Sequence, residues 1–212
     1  MIQINDIAPD FTANTSHGTI NFYEFINDQW TILFSHPKNF TPVCTTELGT
    51  LQKLLPEFKK REVRVIGLSV DNLDNHDQWL NDIHETQGQL PEYPLIADND
   101  RRVSQLYGMV RDGAPDTMTV RTVFVIGPDK KVKLRVDYPA SAGRNFDEIL
   151  RVVDSLQITA KHQLATPANW KQGENLIVTA ALSDEQAQQR FPKSFRKIKP
   201  YLRTVAHSEL IK

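Results

Sequence analysis

Cys44 is the only cysteine in the chain. It lies in His36-Pro37-Lys38-Asn39-Phe40-Thr41-Pro42-Val43-Cys44-Thr45-Thr46-Glu47-Leu48. Thr and Pro are preferred at the N-cap and first position of a helix, so Thr41 and Pro42 place Cys44 in a first turn. Its sulfur then faces the positive end of the helix dipole, which favours a nucleophilic thiolate. That end is worth only ~0.3–1 kcal/mol to a nearby charge, ~2 at best. An ordinary thiol ionises near pH ~8.5, and each tenfold change in ionisation takes ~1.4 kcal/mol. A thiolate at neutral pH therefore needs a cation from elsewhere in the chain. A lone cysteine is more commonly a buried, inert thiol. The Thr-Pro-x-Cys helix start, directly after a buried strand, favours the reactive reading.

The same count excludes other chemistry. One cysteine makes no intrachain disulfide, Cys-x-x-Cys pair, zinc finger or iron–sulfur cluster. Lys plus Arg is 25 and Asp plus Glu 26 in 212 residues. That near-neutral balance gives no support for non-specific nucleic-acid binding. No run approaches the ~18 apolar residues of a membrane span. The N-terminus lacks a basic and apolar leader. With no disulfide requirement, these features lead us to expect a cytoplasmic protein.

Several elements could position the thiol. Thr31–Phe34, Val63–Val70 and Thr122–Ile126 are short, mostly apolar runs rich in β-branched residues, which read as strands buried on both faces. Leu48, Leu51, Leu54/Leu55 and Phe58 share a helix face, and Pro56 should kink or split that helix. Residues 74–86 suit a second helix with Trp79, Leu80 and Ile83 inward. Lys131–Val136 alternates, and the Gly127-Pro128-Asp129-Lys130 turn links it to 122–126 as a hairpin. Asn145 with Glu148 opens a helix whose inward face is Phe146, Ile149, Leu150, Val153 and Leu156. This order implies an α/β layer fold with a mixed central sheet flanked by helices, in the thioredoxin-like order. The composition changes near 160. We therefore expect a main domain over 1–160 and a small C-terminal extension over 161–212. In the extension, Leu176–Val178 suits a strand, and Ser183 with Gln186 forms a capping box.

Pro37, Thr41 and Cys44 match Pro-x-x-x-Thr-x-x-Cys, and SHPKNFTPVCTTELG resembles the peroxiredoxin active-site segment. FVIGPDKKVKL, YPASAGRNFDEILRVV and ATPANW extend the likeness across essentially the whole chain. All are similar to the one-cysteine, peroxiredoxin-6-like branch of that family. The resemblance implies a thioredoxin-like fold and thiol-dependent reduction of hydrogen peroxide and small organic hydroperoxides. It makes Cys44 the peroxidatic nucleophile. Thr41 would hydrogen-bond the thiolate or peroxide, and Pro37 would shield the pocket from water. Arg121 would be the required cation. His36 either packs near the cysteine or is a structural histidine at a strand end. Glu47 is either a partner of the pocket arginines or a solvated acid. Arg144 either braces the site or is a surface arginine. No cofactor is implied. With no resolving cysteine, an external thiol or other reductant must complete the cycle. Family members are usually homodimers, some building larger rings. The charged 131–136 strand either protects a sheet edge or borders such a contact.

Some members carry a second, lipase-type activity on a serine, a histidine and an aspartate. Here the matching positions are Gln29, Tyr23 and Asp129, so the nucleophile and base are missing and phospholipase activity is not expected. The histidines are scattered without metal-ligand spacing. Asp98-Asn99-Asp100 reads as a helix cap rather than a calcium loop. The basic residues Lys193, Arg196, Lys197, Lys199 and Arg203 read as a solvated face, or as a contact for an anionic surface or an acidic reductant. Two rivals to a peroxidase are a peroxide sensor passing oxidation to a partner, and a non-catalytic chaperone-like binding protein.

Overall fold

The structure is a computed structural model describing residues 2–110 and 118–210. The chain forms two compact units, Met1–Phe146 and Asp147–Lys212.

The first unit is built on a seven-stranded mixed sheet, ordered β2-β1-β5-β4-β3-β6-β7. The strands are β1 (Thr12–Thr15), β2 (Gly18–Asn21), β3 (Trp30–Ser35), β4 (Val63–Ser69), β5 (Leu95–Ala97), β6 (Arg121–Ile126) and β7 (Val132–Tyr138). β3, β4 and β5 run parallel, and β6 and β7 are antiparallel additions. The apolar runs of β3, β4 and β6 are almost wholly buried, as expected of central strands. β7 is half-exposed, matching its alternation. β1, β2, β5 and the short helices α1 (Phe22–Ile26) and α4 (Arg102–Leu106) carry too few residues to show a period.

Helix α2 (Pro42–Lys60) runs as one helix through Pro56, so of the expected kink or split the split does not occur. Pro56 is exposed. The carbonyl one turn earlier, on Gln52, loses its amide donor there without breaking the helix. Leu48, Leu51, Leu55 and Phe58 are buried as one face. Gly49 permits a close approach to helix α3 (Leu73–Gln87), since a Cβ there would sit 2.6 Å from the Gln87 side chain. α3 buries Trp79 and Ile83. Leu80 is only half-buried, and His76 takes the inward position instead. Asp98 caps α4, accepting from the Val103 amide at 2.9 Å and the Ser104 amide at 2.7 Å.

The second unit contains most of helix α5 (Phe146–His162) and the sheet β10-β11-β9-β8. Its strands are β8 (Leu164–Ala165), β9 (Leu176–Val178), β10 (Arg196–Lys199) and β11 (Leu202–Val205), with helix α6 at Asp184–Arg190. The units thus divide at Phe146, earlier than the composition change near 160, because α5 packs with the C-terminal strands. Ile158 lies against a core of Leu164, Trp170, Leu176, Val178, Ala187, Phe191 and Val205. Arg151 donates to the Trp170 carbonyl at 3.1 Å. The Ser183–Gln186 capping box forms. Arg203 departs from a solvated basic face: it is 7 % exposed and ties Asp184 and the Leu182 and Thr179 carbonyls together.

Candidate active site

β3 delivers Ser35 and His36 to the edge of the site. Residues 37–41 turn the chain, and α2 begins at Pro42. Thr41 has the extended backbone of an N-cap (φ −119°, ψ 146°), but its side chain makes no capping bond. Its hydroxyl donates to the Lys38 carbonyl at 2.9 Å. That proton is therefore already engaged and is not directed at the sulfur. Pro37 is buried between His36 and the exposed Lys38.

Cys44 occupies the third helical position, and its residue surface is fully enclosed. Arg121, the first residue of β6, donates from Nη1 to Sγ at 3.2 Å. The same nitrogen donates to Glu47 Oε2 at 2.7 Å. Arg121 Nε and Nη2 both donate to the Ala140 carbonyl, at 3.1 and 2.8 Å. The guanidinium is therefore held from two sides while one edge faces sulfur.

Glu47 lies one helical turn beyond Cys44 and is only 3 % exposed. It is not a solvated acid. Arg144 donates to it from its backbone nitrogen at 2.7 Å, from Nε at 2.9 Å and from Nη2 at 2.7 Å. Burial pushes the Glu47 carboxyl upward, but the hydrogen bonds and charges of Arg144 and Arg121 outweigh it and hold it below the ordinary range. Arg144 is no surface residue either. Its Nη1 donates to the Ser35 carbonyl at 2.8 Å and the Thr122 carbonyl at 3.1 Å. Its guanidinium lies over the Phe34 and Phe146 rings, 5.1 and 5.5 Å from their centroids.

Two guanidiniums and one carboxylate leave this buried cluster with a net charge of +1. A thiolate on Cys44 would neutralise it, and it sits against the arginine not saturated by the acid. The arrangement can hold a sulfur nucleophile and stabilise negative charge developing beside it.

His36 lies fully buried in a separate polar network. Its Nε2 is 2.8 Å from Asn39 Oδ1, and its ring is 5.1 Å from that of Trp79. Burial, opposed by the Asn39 hydrogen bond, pushes its pKa down to about 3. Asn39, His76 and Asp71 belong to this network, and no spacing signal pointed to them. The Ser35, Thr122 and Ala140 carbonyls that orient the arginines were equally silent, because a carbonyl has no residue identity.

The lipase-matching positions are engaged otherwise. Tyr23 donates to the Ala8 carbonyl at 2.8 Å, Gln29 accepts from Arg64 Nε at 2.5 Å, and Asp129 pairs with Lys133 at 2.6 Å.

Residues 4–135 match the AhpC/TSA family, and residues 155–194 match the C-terminal domain of 1-Cys peroxiredoxin. The chain is 50 % identical to the 1-Cys peroxiredoxin of Dictyostelium discoideum over 202 residues, covering 95 % of this chain and 84 % of that one. It is 52 % identical to peroxiredoxin-6 of Rattus norvegicus over 198 residues, covering 90 % and 88 %. A structure of yeast mitochondrial 1-Cys peroxiredoxin, whose thiol is resolved via glutathione/thioredoxin systems, superposes with a TM-score of 0.92 at 45 % identity. The match covers 97 % of this chain and all of that one. A cysteine-to-serine mutant of the peroxiredoxin 6 of Arenicola marina gives 0.90 at 42 % identity, over 98 % and 99 %. With likeness of this extent over nearly the whole chain, the chain belongs to the AhpC/TSA family as a one-cysteine peroxiredoxin, a thiol peroxidase.

Proposed function

We propose that Cys44 is the atom at which the peroxidase works and that the Arg121–Glu47–Arg144 cluster is its activating environment. The observation that carries this is the 3.2 Å contact from Arg121 Nη1 to Sγ inside a buried set of net charge +1. In the first step the thiolate attacks the terminal peroxide oxygen. The S–O bond forms as the O–O bond breaks, leaving sulfenic acid on Cys44. The departing oxygen takes a proton and leaves as water or an alcohol. Arg121 steadies the charge on both oxygens. Pro37 walls off bulk water. The Thr41 hydroxyl, its proton on the Lys38 carbonyl, presents a lone pair to the hydroperoxide's O–H.

The second half of the cycle uses an external thiol. A thiolate displaces the sulfenate oxygen as water, giving a mixed disulfide, and a second thiol releases reduced Cys44. Glutathione- or thioredoxin-type donors are our choice, because the superposing yeast protein is resolved through those systems. The enclosed sulfur admits a small peroxide more readily than a thiol donor, so the segment around 40–44 must open for resolution. Dependence on a reduced thiol pool suits the cytoplasm. For assembly the reading is a homodimer, with larger rings as an extension. β7 is the last strand of its sheet, and the N-terminal segment covers only its start, through Asn5 and Asp6 on Val132. The rest of that edge is open for pairing among the described residues.

The test is rapid-mixing oxidation of pre-reduced protein followed by a donor screen. One peroxide consumed per chain, lost in Cys44→Ser, and sustained turnover with glutathione or thioredoxin are expected. Fast oxidation with no turnover by any thiol would instead make the protein a sensor.

A further inference from the structure

Asn39 is buried at 1 % exposure between two histidines. Its Nδ2 lies 3.0 Å from His76 Nδ1, and its Oδ1 lies 2.8 Å from His36 Nε2. The proton positions follow from the far end of this chain of contacts. His76 Nε2 faces the Ile96 carbonyl at 3.2 Å, which can only accept, so Nε2 carries hydrogen. In a neutral ring Nδ1 is then the acceptor, and Asn39 must donate to it. Its oxygen is left to accept from His36 Nε2. Burial favours the neutral form of both rings.

The backbone of Asn39 is fixed too. Its amide donates to Asp71 Oδ2 at 2.8 Å, and Ser69 Oγ donates to the same oxygen at 3.1 Å. Asn39 therefore ties the turn to β3, β4, α3 and, through His76, β5. The next residue needs that support. Phe40 has φ +56°, a left-handed backbone that a bulky aromatic side chain adopts only under constraint, and its ring is half-exposed. One side of the Phe40 ring meets Trp79, with centroids 6.4 Å apart, and the hydrogen bonds of Asn39 hold the backbone just before it. After Phe40 the chain enters α2, where Cys44 meets Arg121.

We infer that Asn39 is a positioning residue for the peroxidase reaction: bridging His36 and His76, it locks the strained turn at Phe40 and thereby aims the first turn of α2, and Cys44 Sγ, at Arg121. This rests on the assignment of Cys44 as the peroxide-attacking thiol, which Cys44→Ser tests separately. The amide fits because it donates to one neutral ring and accepts from the other. A carboxylate of the same shape can only accept.

Asn39→Asp therefore distinguishes this role from simple space-filling. The new carboxylate requires His76 to hold both protons, one on the Ile96 carbonyl and one on the carboxylate. Asp71, Asp77 and His36 face His76, and Arg144 faces His36. The two aspartates also favour the protonated ring. As pH rises and His76 loses that proton, a lone pair meets the carboxylate and the turn loosens. The ratio of variant to wild-type rate with hydrogen peroxide is expected to fall about tenfold between pH 5.5 and 8.5, within the roughly hundredfold effect of misplacing a reacting group. Asn39→Ala should be slow at every pH. Nitrogen-15 spectra of the histidines provide a readout independent of activity: the Nε2–H tautomer at His76 in the wild type and an imidazolium in Asn39→Asp at the acidic end. An Nδ1–H tautomer in the wild type would overturn the proposal even if both variants failed to fold. So would a pH-independent rate ratio for folded Asn39→Asp, or wild-type rates in folded Asn39→Ala.

Discussion

Glu47→Gln perturbs the site with almost no change of shape. The wild-type carboxylate accepts from Arg121 Nη1 and from three nitrogens of Arg144, all within 2.9 Å. In the amide, Oε1 can still accept from the Arg144 backbone and Nε. The new NH2 group, however, faces Arg144 Nη2 and Arg121 Nη1, donors against a donor at what were 2.7 Å contacts. Two guanidiniums are then left buried without their counter-charge. Breaking one side of a buried ion pair costs about 3–5 kcal/mol. At ~2–4 °C per kcal/mol for a chain of this size, Tm should fall by roughly 6–20 °C. The pH dependence has a definite sign. The folded Glu47 carboxyl is held below its ordinary value because the two arginines overcome the opposing burial. Its stabilisation is present above the unfolded value of ~4.3 and disappears as pH falls through the folded value. The stability gap between wild type and variant, measured by urea denaturation, should be full at pH 7 and shrink towards pH 3. Rapid-mixing oxidation should also slow by roughly tenfold or more, because Arg121 loses one of its two anchors. A gap below ~1 kcal/mol at pH 7, or one that does not narrow in acid, would refute the charge argument.

Arg121→Ala should slow oxidation of Cys44 by hydrogen peroxide ~10²–10³-fold, the scale for losing a preorganised donor. Arg121→Lys should restore only part of that rate, since an ammonium cannot span Sγ, Glu47 and the Ala140 carbonyl together; equal rates in Lys and wild type would argue against the fork geometry. Excess peroxide without reductant should add about 32 Da to the intact mass, as sulfinic acid on Cys44, because the chain has no second thiol to trap the sulfenate. Continued turnover with no such species would count against that. Gly67→Ala should destabilise by ~1–3 kcal/mol in chemical denaturation, because its Cβ would lie 2.6 Å from Leu95 and 2.8 Å from Phe34; a neutral result would mean that β4 and β5 can part cheaply.

The core strands are legible in the sequence because β3, β4 and β6 are apolar on both faces, and such runs have few other folded uses. β1, β2 and β5 are not, because three or four residues carry no measurable alternation. Pro56 misleads in the other direction: its local rule predicts a kink or a split, but the helix continues through it for another turn, with Phe58 still buried on the core face. At the site, Cys44, Arg121, Glu47 and Arg144 are recoverable from side-chain identity and resemblance, whereas their division of labour is not. Arg144 spends its donors on the acid and on backbone carbonyls, and it supplies three of the four hydrogen bonds that hold the Glu47 carboxylate. That saturation matters for Arg121. A buried carboxylate facing Arg121 alone would claim its charge, leaving the sulfur beside a neutralised pair. With Arg144 satisfying most of the acid, Glu47 can orient Arg121 through one bond while the cluster keeps one positive charge in excess. The second arginine thus leaves Arg121 free to face the sulfur, and the sequence shows only that it exists, not that the charge count depends on it.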